Sequence, residues 1–307
     1  MTAFAHVPSD LTSTYTRDRV ALVCTTLGRW SDLAHLLSTA AAAARRPDLV
    51  VVVDQSHESE RAPLATFGLD VVVRADDGRG VSRGRNRGID EALRTIPAAE
   101  VAHWLIGFPD DDVWFDDDTL ASAVRAADGV DFVSGCLVLP NGAPSRASWP
   151  SAPCALNRST IVGRTVEAAT FIRASVFATG IRYNESFGVG SGTALGSGEG
   201  LELLFRVTTR GSRGRFAPDI RVFENDPPPS PARARLYAIG EGGSFYAGFP
   251  RGPMRLWRLY LRPVFRAVRA AAAGRVADVG PALRRARDMR EGAREAALIS
   301  ARNGRQK

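Results

Sequence analysis

Apolar residues come in short dense runs separated by polar, glycine-rich or proline-rich stretches. The runs VALVCTT at 20–26 and LVVVVD at 49–54 are apolar without alternation, the pattern of strands covered on both faces. Between them Leu33, Leu36, Leu37 and a series of alanines recur at helical spacing, with Ser31 placed as the cap and Arg46 at the far end. Strand, helix and strand in such close succession predict a βαβ unit and therefore a parallel sheet. Further strands are predicted at 69–74, 101–108 and 131–139, with a helix opening in GRGVSRGRNRG at 78–88 and another capped by Asp116 or Asp117. A surface loop fills 140–157, and a short strand follows at 166–173. The glycine-rich stretch at 188–198 leads into a helix over 199–209, and 215–224 is strand-like. Four prolines within 225–231 mark a boundary, and the chain beyond them is helical and basic. The expected organisation is a loose arm at 1–18, an α/β domain of mostly parallel sheet flanked by helices at 19–226, and a helical C-terminal region at 227–307.

Composition excludes several classes. The 307 residues are 45% apolar and 24% charged, which supports a sizeable core and excludes global disorder. No apolar run approaches the roughly 18 residues of a membrane span. The polar start lacks the basic and apolar regions of a secretory leader, so a cytoplasmic protein is expected. Three dispersed cysteines, Cys24, Cys136 and Cys154, suit a reduced compartment and no zinc motif. Lys307 is the only lysine, so arginine richness reflects base composition more than chemistry. The net charge of +7 is uneven: residues 251–307 hold 15 basic and 4 acidic residues, a balance of +11, which leaves the rest at −4. An acidic-to-neutral body with a basic tail is not a nucleic-acid binder, and no RNA-binding aromatic motif supports one.

In an open α/β sheet, ligands bind beyond the carboxyl ends of the parallel strands. Three such ends carry polar groups here: Thr25 and Thr26, Asp54, and Asp110 to Asp112. Asp54 has two open readings, acceptor for the N–H of a uracil- or thymine-like base or closure of an Asx turn. Asp110 and Asp112 alternate along an extended segment and so face the same way, which suits a hard cation such as Mn²⁺ or Mg²⁺ bridging phosphate oxygens. The bland alternative is a solvated acidic turn. Arg83, Arg85 and Arg87 stand among glycines at a helix start, where they either hold a diphosphate or are simply solvated. Glu199 ends the glycine loop and opens a helix, a position fit for a general base or for favourable interaction with the helix dipole. Walker and GxSxG motifs are absent, and the four histidines share no spacing.

Taken in order, VALVCTTLGR, VVVVDQS, GVSRGRNRGI, WLIGFPDDDVWF and SGTALGSGEGLELLFR resemble the inverting family 2 glycosyltransferases of GT-A fold, over about residues 19–226. The resemblance implies a nucleoside-diphosphate sugar donor (UDP-, dTDP- or GDP-linked) bound by residues 19–139, and a carbohydrate or lipid-linked acceptor bound by 140–226. It implies base contacts near Thr25, Thr26 and Asp54, with Arg29, Arg85, Asn86 and Asp111 in the donor-binding set. Asp110 and Asp112 become the metal-binding DxD, with Mn²⁺ or Mg²⁺ as cofactor. Glu199 becomes the base that deprotonates the acceptor, in cell-surface polysaccharide or glycolipid synthesis. Two departures stand out: Gly200 replaces an aspartate common in the family, and Glu224 stands where many members place a metal-binding histidine. Those departures keep open a non-catalytic sugar-nucleotide-binding protein on the same scaffold. A sugar-phosphate nucleotidyltransferase is the other alternative, although TTLGRW at 25–30 is a poor phosphate loop.

In the tail, Arg255, Arg258, Arg262, Arg266 and Arg269 form one helical stripe. Leu256, Trp257, Tyr260, Leu261, Val264 and Val268 form the opposite one, with Pro263 breaking the run or starting a second helix. Two arrangements are expected of residues 251–275. Either they lie on a membrane, arginines against anionic head groups, on the inner face of the plasma membrane, or the apolar face packs on the catalytic domain.

Overall fold

The computed structural model describes residues 18–60, 63–146, 148–225, 230–249 and 253–304. Residues 1–17 of the expected arm, prolines 227–229 of the expected boundary, and residues 251–252 lie outside this set.

In chain order the elements are β1 (Arg19–Thr26), α1 (Trp30–Ala42), β2 (Leu49–Asp54), β3 (Val71–Ala75), α2 (Val81–Thr95), β4 (Trp104–Gly107), β5 (Val113–Phe115), α3 (Thr119–Ala126), β6 (Phe132–Val138), β7 (Cys154–Leu156), β8 (Thr170–Arg173), α4 (Ala174–Ala178), α5 (Glu199–Thr209), β9 (Gly214–Glu224), α6 (Pro231–Gly248), α7 (Pro253–Leu256), α8 (Arg262–Ala272) and α9 (Val276–Gly304). One sheet contains the strands in the order β3-β2-β1-β4-β8-β6-β9-β5, with β7 also paired to β9. The first four run parallel, as expected for βαβ units. Beyond β4 the sheet is mixed, with β8 antiparallel to both β4 and β6.

The apolar runs explain the layers. Val20, Leu22, Val50 and Val52 point to one face and pack with Leu33, Leu36 and Leu37 of α1. Val23, Val51 and Val53 point to the other and pack with Ile89 and Ala92 of α2. All of these side chains are at most 1% exposed, so each contributes roughly 1–3 kcal/mol of burial, the alanine at the low end. Gly84 lets the first turn of α2 sit against the end of β1, since a Cβ there would come 2.6 Å from Thr25 Cγ2. Register then sets Thr26 beside Asp54 and Gly107 beside Leu22, so the carboxyl ends of β1, β2 and β4 share one edge.

Several boundaries differ from expectation for local reasons. Residues Ala98–His103 form a 3-10 helix behind Pro97, which shortens β4 at its start. Glu167–Ala169 does the same before β8. Helix α1 begins at Trp30, with Arg29 in the capping position and Ser31 inside the first turn. Asp116 organises the start of α3, accepting from the Thr119 hydroxyl at 2.6 Å and the Asp118 amide at 3.2 Å. The expected loop at 140–157 contains β7.

The C-terminal helices pack onto α5 through α6, and α9 lies against both α6 and α8. Helices α6 and α9 cross almost backbone to backbone: a Cβ at Gly242 would meet Met289 O at 1.9 Å, and one at Gly292 would meet Ile239 O at 1.8 Å. A π-helical turn, Trp257–Leu261, joins α7 to α8, and Pro263 sits in the first turn of α8. No helix among the described residues is long and apolar enough to cross a membrane.

Candidate functional site

A cleft of about 1510 Å³ opens along the strand edge and runs to the C-terminal helices. It exceeds the roughly 300–1,000 Å³ of a single small-molecule site, so it has room for two ligands. Thr25, Thr26, Arg29 and Gln55 line it, together with Asp110 to Asp112, Glu224, Glu167 and Glu199.

The aspartate run is a turn and not the expected extended segment: Asp111 and Asp112 are in turn conformation, and the Val113 amide donates to Asp110 O at 3.4 Å. Asp110 and Asp112 expose 47% and 48% of their side chains, whereas Asp111 exposes 2% and turns inward. Asp111 accepts from the Thr26 hydroxyl at 2.7 Å and pairs with Arg29, which also pairs with Asp112. Asp110 pairs with Arg85 at 2.8 Å. Burial, together with the charges of Asp112, Glu199 and Asp111, pushes the Asp110 carboxyl above its usual range against the pull of Arg85. Local negative charge is therefore in excess, a condition a cation relieves.

Arg85 is the hub. Its side chain is only 3% exposed, yet it meets three carboxylates: Asp110 through Nη2, and Glu199 at 3.1 Å and Glu167 at 2.9 Å through Nη1. Burial works against its charge, and the acidic groups around it hold the guanidinium charged. Glu167 and Glu199 thus share one nitrogen. Burial pushes Glu167 up to about 8, with the nearby Glu199 and Asp110 charges adding to the shift against the pull of Arg85. Tyr183 is hydrogen-bonded to Glu167, and burial raises its hydroxyl well above the usual value. Oε2 of Glu199 is buried without a hydrogen-bond partner.

Other expected residues lie elsewhere. Asp54 does not line the cleft; its Oδ1 accepts from the Ser56 amide at 2.9 Å and hydroxyl at 2.6 Å, the Asx-turn alternative. Asn86 is buried, with its amide committed to the Tyr183 backbone at 2.7 and 3.0 Å and to Glu185 at 2.9 Å. Arg83 grips Asp76 at both carboxylate oxygens. Burial alone would raise Asp76, but bonds from Arg83, Gln55 and the Gly78 amide hold it at about 2. Arg87 is exposed. The glycine loop is fastened at both ends: Val81 donates to Val189 O at 2.9 Å, and the Ser244 hydroxyl donates to Gly198 O at 2.7 Å.

No three His, Cys, Asp or Glu side chains converge into a closed metal site among the described residues. Asp110 and Asp112 nevertheless offer hard oxygen donors to the cleft. Such a pair fits a cation that takes its remaining ligands from phosphate and water, the usual habit of Mg²⁺. Glu224 stands beside Val113 across β5 and β9, one residue past the run, which brings it to the same wall.

The family model described as "Glycosyl transferase family 2" matches residues 22–184, more than half of the chain. The chain belongs to this family. Solved structures agree at the level of fold. One is the mannosyltransferase PcManGT from Pyrobaculum calidifontis in complex with GDP-Man and Mn²⁺, 16% identical, covering 95% of this chain and 90% of that one, with a TM-score of 0.57. Another is S. aureus TarS 1–349 in complex with UDP-GlcNAc, 15% identical, covering 93% and 92%, with a TM-score of 0.52. No curated protein matches the sequence.

In this glycosyltransferase Gly200 has a physical explanation. A Cβ there would come 2.8 Å from Glu167 Oε2, so the missing side chain makes room for a carboxylate arriving from another part of the chain. Sequence reasoning misses Glu167 because it lies in VEAATFIR, which reads as a plain strand. The signal present in the sequence is the unusual glycine at 200, which asks what fills its space.

Proposed function

We propose that this family 2 transferase moves a sugar from a nucleoside-diphosphate donor to the hydroxyl of a carbohydrate or lipid-linked acceptor, with inversion at the anomeric carbon. The observation that carries the reading is the Arg85 bridge, which sets Asp110 and Glu199 on opposite sides of one guanidinium. Neighbours of the same fold solved with GDP-Man and UDP-GlcNAc support a UDP-, dTDP- or GDP-linked donor.

The nucleotide lies at the Thr25, Thr26 and Gln55 end, and the diphosphate near Asp110 and Asp112. Mn²⁺ or Mg²⁺ held by these two, with Glu224 nearby, would neutralise charge on the leaving diphosphate. Arg29 orients Asp111 and Asp112, and Arg85 fixes Asp110 relative to Glu199. Glu199, with one carboxylate oxygen lacking a partner, accepts the acceptor's proton as the acceptor oxygen bonds to the anomeric carbon. The bond from that carbon to the diphosphate oxygen breaks with its electron pair leaving on the diphosphate. A screen of nucleotide sugars with Mn²⁺ tests this. Release of nucleoside diphosphate that needs the metal and drops at least a hundredfold in Asp112→Ala is expected; no release from any donor contradicts it.

The tail supports attachment to a lipid surface, by the opposite face from the one expected. Trp257 is 41%, Phe265 62% and Val268 61% exposed, with Leu256, Tyr260, Leu261 and Val264 on the same outer stripe. Pro263, Ala267 and Ala270 are buried, and the arginine stripe turns toward the cleft. Flotation with phosphatidylcholine–phosphatidylglycerol vesicles should persist in 0.5 M salt and fall severalfold in Phe265→Glu. Wild-type protein that stays unbound removes this part.

A further inference from the structure

The arginines of the π-helical turn and α8 have no use in the chemistry above. Arg258, Arg262, Arg266 and Arg269 all line the same cleft as Glu199. They come from the helices that follow α6 and not from the strand ends where the nucleotide is proposed to lie. Their charges are poorly compensated. The acidic residues of this wall are already engaged, Glu241 with Arg285 and Asp278 with Arg275. Arg262, Arg266 and Arg269 have no ion-pair partner among the described residues. Arg258 stacks on Phe245, and its Nε is buried without a hydrogen bond. Burial and repulsion from Arg262 lower its proton affinity more than the nearby Glu241 raises it. At about 1.5 Å of rise per residue the stripe spans about 16 Å, longer than one anionic group needs. Position, not residue type, is the informative feature, since nearly every cation in this chain is arginine.

We propose that Arg258, Arg262, Arg266 and Arg269 form an acceptor subsite for phosphate groups, so that the acceptor of the transfer is a phosphate-bearing glycan, polyol or lipid. The inference rests on the glycosyltransferase reading for the word acceptor, and on the arginine wall alone for the phosphate. A phosphate brings several charged oxygens to one place, which several guanidinium groups satisfy better than one carboxylate would. The row then positions successive phosphates so that a hydroxyl between or beside them reaches Glu199. Phosphate contacts of this kind weaken steeply with salt.

The test is binding of a short-chain polyphosphate, measured by fluorescence or calorimetry on the full chain. Wild-type protein is expected to bind it in a salt-sensitive way and to bind neutral dextran at least tenfold more weakly. Arg262→Gln/Arg266→Gln should lose at least tenfold in affinity. The charge-matched Arg294→Gln/Arg302→Gln, on exposed positions of α9 outside the cleft, should change less than twofold. Equal losses in both double variants, no loss in the cleft variant with its thermal midpoint intact, or equally tight binding of polygalacturonate would overturn the phosphate subsite. If the cleft variant does not fold, the single substitution Arg269→Gln, at an exposed position, carries the same test with a smaller expected loss of about threefold. Vesicles of phosphatidylcholine with phosphatidic acid separate the two sources of phosphate: an affinity that falls in the cleft variant assigns it to a lipid, and one that does not assigns it to a soluble chain. Thermal shift with nucleotide sugars, run in parallel on wild type, isolates the transferase reading. A polyphosphate site without any donor shift keeps the arginines and removes the transferase; a donor shift without polyphosphate binding does the reverse.

Discussion

The two ends of the cleft treat charge in opposite ways. Beside the strand tips five carboxylates pair with two arginines: Asp111 and Asp112 share Arg29, and Asp110, Glu167 and Glu199 share Arg85. Along α8 the arginines face the cleft with almost no acids to meet them. A saturated network holds its members in fixed geometry, as groups that must be aligned before chemistry require. An unsaturated row keeps its charge for something that arrives from outside. The contrast separates a preorganised end from a receiving end within one cavity.

The largest effects should come from breaking the saturated end. Glu199→Gln keeps the contact with Arg85 but cannot take a proton, so the rate of transfer should fall by about 10²–10⁴ while donor binding stays within about threefold. Steady-state kinetics with separate measurement of donor affinity decides it; equal loss in both would make Glu199 a binding group only. Arg85→Met removes the buried cation that Asp110, Glu167 and Glu199 share, and should cost about 3–5 kcal/mol of stability, read by urea unfolding. A cost under 1 kcal/mol would mean that the network is not what holds this end.

Glu167 sharpens the comparison with a smaller effect. Its folded-state affinity for protons is raised, to about 8, so between its ordinary value near 4.5 and about 8 the folded protein binds more protons than the unfolded chain. Stability therefore falls as pH rises through that window. Glu167→Gln mimics the protonated form and should flatten the decline, seen as thermal midpoints from pH 5 to 8.5. An unchanged slope would show that Glu167 ionises normally.

Much of the scaffold is legible in the sequence. Continuous valine and leucine runs announce β1 and β2 because both faces of a central strand are covered, and the polar residues at their ends announce the cleft edge. Asp110 and Asp112 do reach the cleft, but from a turn closed by the Val113 amide on Asp110 O and not by the alternation of an extended segment. Strands β5 and β7 escape sequence reading because three residues carry too little periodicity. Residue type does not reveal which local groups a side chain will meet: the Ser56 amide and hydroxyl donate to Asp54, and the Tyr183 amide donates to Asn86. Glu167 depends on a contact with Arg85 across 82 positions of sequence, which local pattern does not encode. The tail shows the same limit: periodicity sorts arginines from apolar residues correctly, but which stripe turns inward depends on α9 and on the cleft, and the outward stripe is the apolar one.

Calorimetric titration of UDP, dTDP and GDP with Mn²⁺ into wild type and Asp112→Asn tests the central claim most directly, since the claim joins the aspartate run to a diphosphate through a cation. At least one nucleotide should bind wild type in a metal-dependent way, with affinity at least tenfold weaker in Asp112→Asn. Binding that is equally tight in both proteins, or indifferent to the metal, would contradict the account.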